Sequence, residues 1–157
     1  MEKTTKKLLE LGLTLPPPPK PVGAYMPLVE VNDLIFISGQ IPLDTNSTPP
    51  IVKYQGKIGL DSTIEKGQEA GILCTLNTLS LLNEHLGSLD SIQKIVKLSA
   101  YLNAVDSFNE HVQVINPTSN LLEKIFGEKG IHSRIAIGVA SLPLNSTIEL
   151  EYIVKFR

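Results

Sequence analysis

STIEKGQEAGILCTLNTLSLLNEHLG, residues 62–87, followed by VKLSAYL, residues 96–102, decides the fold. Ser62 and Glu65 have the spacing of a capping box, in which a hydroxyl and a carboxylate three residues on satisfy free backbone N–H groups at a helix start. Ile72, Leu76, Leu79 and Leu86, flanked by Leu73 and Leu82, then recur at helical spacing. The sequence therefore predicts a helix over roughly residues 63–86, with Gly87 as its stop. In the second stretch Val96, Leu98, Ala100 and Leu102 alternate with Lys97, Ser99 and Tyr101. That period of two is a strand with one apolar face. A long helix followed by a one-sided strand calls for a layered domain.

Toward the N-terminus, residues 2–11 read as a short amphipathic helix carrying Leu8, Leu9 and Leu11, with Gly12 as its stop. Pro16 through Pro19 and then Pro21 make a stiff arm, so the helix is expected to dock on the body or on a neighbouring subunit. Tyr25–Glu30 and Leu34–Ser38 read as strands joined by Val31-Asn32-Asp33. Residues 43–50 read as a polar loop, and Ile51–Ile58 as a third strand interrupted by Gly56. Toward the C-terminus a second helix is expected from near Asp106 or Ser107. It is disturbed at Asn116-Pro117 and resumes through Leu121, Leu122, Ile125 and Phe126. Strands over Ser133–Ala140 and Thr147–Phe156 close the chain around Leu142-Pro143-Leu144-Asn145. This order predicts an α+β sandwich with two helices on one face of a mixed sheet. The other face, carrying Arg134 or its neighbours, reads as a surface for a partner subunit. The expected division is residues 1–21 as helix and arm, and 22–157 as a single domain.

With 157 residues, 42% of them hydrophobic and 19% charged, the chain holds one domain with a proper core. A net charge of -2 gives no general pull toward nucleic acid or an anionic membrane. Cys74 is the single cysteine, so no internal disulfide forms and a reducing compartment is the natural setting; its apolar helical surroundings predict a buried, inert thiol. The charged N-terminus (Glu2, Lys3, Lys6, Lys7, Glu10) is unlike a secretory signal, and no apolar run is long enough to span a bilayer. A cytoplasmic protein is expected.

Arg134 stands in an otherwise uncharged run, Ser133-Arg134-Ile135-Ala136-Ile137-Gly138-Val139-Ala140. Alternation sets Ile135, Ile137 and Val139 on one face and Arg134, Ala136 and Gly138 on the other. A half-buried guanidinium is costly unless something anionic meets it. A large cation beside small residues makes room for a small acid; equally, Arg134 could pair with Glu149 or Glu151. Glu149 is placed to be a general base or to orient water, or else is a strand-surface charge. Gly39, in Ser38-Gly39-Gln40-Ile41-Pro42, lets backbone groups approach a ligand, though a plain turn explains it as well. His85, His111 and His132 lack metal-ligand spacing; His132 shares a face with Arg134 and stays a site candidate. No phosphate-binding glycine loop, zinc pattern or serine-nucleophile elbow is present.

Taken together, Ser38-Gly39-Gln40-Ile41-Pro42, the Arg134 strand, Leu142-Pro143 and Ile148-Glu149-Leu150-Glu151 resemble the Rid (reactive intermediate deaminase) family, also called YjgF-like. The likeness runs from about Val22 to Phe156. It implies a chorismate-mutase-like fold of the bacillary type, assembled as a homotrimer with a central sheet barrel and ligand clefts between subunits. It also implies deamination of enamines or imines such as 2-aminoacrylate, with no metal or organic cofactor. The carboxylate-binding arginine falls on Arg134, the cleft glutamate on Glu149, the cleft tyrosine on Tyr25 and the ligand-contacting glycine on Gly39. A cysteine common in the typical deaminases falls on Ala136. The stretches 116–120 and 130–134 resemble a longer branch described only as YjgF-like. The alternative reading, favoured by Ala136 and the altered loop, is a non-catalytic trimer that binds a small carboxylic acid or regulates a partner enzyme. Parts of the family carry the label endoribonuclease L-PSP. The near-neutral charge and the want of a His/Lys or metal constellation argue against a ribonuclease.

Overall fold

In a computed structural model of the protein, described for residues 2–21 and 23–157, five strands form one mixed sheet covered by helices on one face. Met1 and Val22, where the expected domains begin, lie outside the described residues. The elements are α1 (Lys3–Glu10), β1 (Leu28–Val31), β2 (Leu34–Gln40), β3 (Leu43–Asp44), β4 (Ile51–Val52), α2 (Ile64–Leu86), β5 (Ile92–Asn103), α3 (His111–Phe126), β6 (Ser133–Val139) and β7 (Ile148–Phe156). The order across the large sheet is β1-β2-β7-β5-β6. Neighbours run antiparallel except β5 and β6, which are parallel because α3 crosses over between them.

The apolar sides of β2, β5 and β7 meet α2 and α3 over one core. Ile35, Ile37, Leu98, Leu102, Leu150 and Val154 bury against Ala70, Cys74, Leu82, Ile115 and Leu122. The Cys74 thiol is fully buried, and burial holds it in the protonated, unreactive form. Tyr152 keeps its hydroxyl in this core through a 2.9 Å hydrogen bond with Thr75 Oγ1.

Several sequence expectations are corrected. Thr63, not Ser62, caps α2 and accepts a hydrogen bond from Lys66 N at 3.2 Å; Ser62 is buried, 3.4 Å from Thr147 Oγ1. The loop at 43–50 holds β3, which pairs with β4. The expected strand 51–58 is therefore only two residues long before Tyr54 and Gln55 turn to brace the 142–147 segment. The second helix begins at His111 and runs unbroken through Pro117. A proline removes the bond to the carbonyl four residues back, here Gln113 O. Gln68 of α2 donates its amide to that carbonyl at 2.9 Å, so the break the sequence suggests is mended from the neighbouring helix.

The N-terminal helix docks on the body of its own subunit. Leu8 enters the core, and the arm is tied by Ser80 donating to Pro16 O and Thr45 donating to Pro17 O. Its cap comes from outside the helix: Asp90 accepts from Lys3 N (2.8 Å), Thr4 N (2.8 Å) and Thr4 Oγ1 (2.5 Å). These bonds, Thr4's first, hold the Asp90 carboxyl below its ordinary range. A depressed folded-state value means the contribution is present above the unfolded carboxylate's pKa and is lost as pH falls through the folded one. Asp90→Ala is expected to cost about 1–2 kcal/mol of anchoring and to make the Lys6–Lys7 segment the first tryptic cut. Tryptic digestion at neutral pH checks the cut, and thermal melts of wild type and Asp90→Ala at neutral and acid pH check the stability difference and its loss in acid.

On its uncovered side the sheet exposes Val29, Phe36, Ile135 and Ile137, each more than 40% accessible. Val29 and Phe36 lie on β1 and β2 toward one edge of the sheet, and Ile135 and Ile137 on β6 at the other. Among the described residues, no helix is long and apolar enough to cross a membrane.

Candidate functional site

The Glu149 side chain is half-buried at the wall of a cavity of about 420 Å³. Burial first, and the charge of Glu151 second, raise its pKa above the ordinary carboxylate value. Gly39 is the reason it fits. A Cβ built there would overlap Glu149 Oε1 and stand 2.9 Å from the carboxyl carbon. The β2 backbone bulges at this point, since the register slips between Ile37 and Gln40 against β7. Bulges re-aim neighbouring groups, and this one brings Gly39 over the carboxylate. Tyr25 lines the same cavity and is half exposed. Sequence reasoning thus named three residues that the structure brings together: Tyr25, Gly39 and Glu149.

Two parts of this cavity went unnoticed in the sequence. Pro19, Lys20 and Pro21 of the arm form one side, and Pro143 with Leu144 forms another. Leu144 and Asn145 both adopt the left-handed region (φ 55° each), which costs energy for a residue with a Cβ. The turn is held by Gln55 donating to Leu144 O (2.8 Å), Lys57 donating to Ala140 O (2.8 Å) and Asn103 donating to Ser146 O (3.3 Å). The run Leu142-Pro143-Leu144-Asn145 signals a turn, but nothing local in it announces the strained wall.

Arg134 lies elsewhere. In the sheet it stands level with Leu98, and Leu98 with Tyr152, both buried under the helices. Glu149 stands level with Tyr101, and Tyr101 with Ile137, on the uncovered face. Directly paired residues project to the same side of a sheet, so Arg134 and Glu149 leave opposite faces. The ion pair between them that the sequence allowed does not form within one subunit; Glu151 instead accepts from Tyr101 Oη at 3.1 Å. The uncovered face carries the arginine's neighbours Ile135 and Ile137, not the arginine.

Arg134 Nη1 donates to Asn116 Oδ1 and to Ser119 Oγ, each at 3.0 Å. His132 stands with it: Nε2 is 3.0 Å from Ser119 Oγ and Nδ1 is 2.6 Å from Gly130 O. Arg134, His132, Ser119 and Asn120 line a separate hollow of about 200 Å³. Ala136 is half-buried and packs on the core, and a Cβ on Gly138 would stand 3.0 Å from His111 Nε2. The small side chains beside Arg134 therefore leave room first of all for α3. Asn116, Ser119 and Asn120 recur at three- and four-residue steps along α3, a polar stripe the sequence shows but does not link to Arg134.

A cavity walled by Glu149 and a separate hollow beside Arg134 thus sit on a fold of the YjgF type. Residues 5–155 match the family described as "YjgF/chorismate mutase-like, putative endoribonuclease", and the chain belongs to this Rid/YjgF family. It is similar to the Trypanosoma cruzi protein TCP17, with 33% identity covering 99% of this chain and 95% of that one. A crystal structure of a protein of unknown function from Agrobacterium tumefaciens superposes with a TM-score of 0.89 at 34% identity, covering 99% of this chain and 93% of that one. A 2-iminobutanoate/2-iminopropanoate deaminase from Dermatophagoides farinae is 25% identical, covering 90% of this chain and 93% of that one.

Proposed function

We propose that the protein hydrolyses small 2-imino acids and their enamine tautomers in a cleft closed between two subunits. The observation that carries this reading is Glu149, half-buried with a raised pKa and fitted against Gly39 at the wall of a cavity large enough for a small acid. Its relative from Dermatophagoides, named for 2-iminobutanoate and 2-iminopropanoate, supports the substrate class. In this reading Arg134 of a neighbouring copy fixes the substrate carboxylate by a two-pronged hydrogen bond. Glu149 takes a proton from the attacking water and gives it to the imine nitrogen. It then carries the carbinolamine hydroxyl proton to the same nitrogen as the C–N bond breaks and ammonia leaves. Tyr25 and Gly39 shape the pocket, and Ala136 borders the arginine. The apolar sheet face supports an assembly, taken as a trimer with the sheets inside.

The test is loss of freshly generated 2-aminoacrylate and 2-iminobutyrate, followed with and without protein across pH. Acceleration over buffer is expected, with an acid limb in kcat/KM that disappears in Glu149→Gln; burial and Glu151 raise its midpoint, and a neighbouring Arg134 lowers it. The sign follows from the role: a base works deprotonated, and burial delays its deprotonation to higher pH. No acceleration by a folded, assembled protein overturns the reading. Tight carboxylate binding without turnover would then favour a non-catalytic binder, for which Ala136, in place of a thiol, is the favouring feature.

A further inference from the structure

The hydrogen-bond chain around Arg134 has only one consistent direction. A carbonyl can only accept, so the 2.6 Å approach of His132 Nδ1 to Gly130 O places the ring proton on Nδ1. Burial, more than the nearby charge of Arg134, holds the His132 pKa below the ordinary value, so the ring is neutral at neutral pH. Nε2 is then a bare lone pair and accepts the Ser119 hydroxyl proton at 3.0 Å. With its proton spent on His132, Ser119 Oγ is left as an acceptor for Arg134 Nη1, also at 3.0 Å. Asn116 Oδ1 takes the second Nη1 hydrogen at 3.0 Å.

A guanidinium carries five N–H groups, one on Nε and two on each terminal nitrogen. Both hydrogens of Nη1 are committed inside the protein. Only the edge formed by Nε and Nη2 remains able to grip a carboxylate with two parallel bonds.

We infer that Ser119 and His132, with Asn116, are positioning residues: they lock Arg134 so that a small carboxylate is held side-on by Nε and Nη2. The inference rests on the functional reading above and deepens it by naming the edge that binds and the residues that select it. The alternative geometry, end-on through both terminal nitrogens, would require Nη1 to abandon Asn116 and Ser119. Ser119→Ala removes the oxygen that Nη1 donates to and leaves His132 Nε2 without its hydroxyl partner. The guanidinium then regains rotational freedom that ligand binding must remove again.

The probe is 2-oxobutyrate, a stable carboxylate, titrated into the assembled protein by calorimetry. The Arg134 Nε–H resonance is followed by NMR alongside. The expected result is an Nε–H shift on binding, a roughly tenfold weaker Kd in Ser119→Ala, and recovery to near wild type in Ser119→Thr, which keeps the hydroxyl. The same order should appear in KM for 2-iminobutyrate with kcat little changed. If Arg134→Ala abolishes binding but Ser119→Ala binds like wild type, or if the Nε–H resonance stays still while ligand binds, the inference is overturned and the carboxylate-anchor reading stands. If wild type fails to bind, or Arg134→Ala binds equally well, both are overturned together.

Discussion

Mixing two inactive variants should restore activity. Arg134→Ala is expected to lower kcat/KM for 2-iminobutyrate by about a hundredfold or more, the scale of losing a desolvated, two-pronged charge contact. Glu149→Gln is expected to be similarly poor, because the amide cannot accept the proton. The sheet register makes the combination informative. Arg134 and Glu149 leave opposite faces of one sheet, so the proposed joint grip on a substrate requires two adjoining subunits. A subunit carrying Glu149→Gln still offers a good Arg134, and one carrying Arg134→Ala still offers a good Glu149. When the two exchange subunits at equal amounts, about one interface in four is rebuilt from intact halves, whatever the size of the closed ring. Specific activity should rise from the parental background to about a quarter of wild type. The assay needs proof of exchange, which differently tagged subunits and co-purification supply. Exchange without recovery would mean that the two residues do not share a cleft.

The register also explains what could be read from the sequence. Period-two alternation in Val96–Leu102 and Ile148–Phe156, and the spacing of leucines in α2, are properties of single elements, and each is visible in the chain. Tyr25, Gly39 and Glu149 were legible through likeness to a family, and the structure assembles them around one cavity. The face on which Arg134 lies was not legible. Alternation tells which residues share a face but not which face the helices cover. That depends on the parallel pairing of β6 with β5, a contact between distant parts of the chain. Pro117 misled for the same reason: its local effect is to break a helix, and Gln68, 45 positions away from the freed carbonyl, offsets it. The cap of α1 by Asp90 and the cap of α2 by Thr63 in place of Ser62 differ in kind. The first needs tertiary structure; the second is a one-residue ambiguity between adjacent hydroxyl residues.

A single methyl group at position 39 should disable the carboxylate pocket while leaving the fold intact. Gly39 is exposed, and its φ lies outside the left-handed range, so alanine meets no backbone strain there. All three nearest atoms that a new Cβ would meet belong to the Glu149 side chain: the overlapping Oε1, Cδ at 2.9 Å and Cγ at 3.2 Å. The carboxylate must therefore swing away from its place, and the cost falls on chemistry before stability. Gly39→Ala is expected to reduce kcat by about a hundredfold, as displacement of a reacting group commonly does, with a melting temperature within a few degrees of wild type. The double variant Gly39→Ala with Glu149→Gln separates this cause from a general narrowing of the cavity. If the methyl acts by moving Glu149, the double variant is no slower than Glu149→Gln alone, since a group already disabled cannot be disabled again. If the losses instead multiply, Gly39 serves the ligand directly and the carboxylate's position is incidental to it. Wild-type kcat in Gly39→Ala would remove Glu149 from the mechanism, because no rotamer that avoids the new Cβ keeps the carboxylate where it now lies.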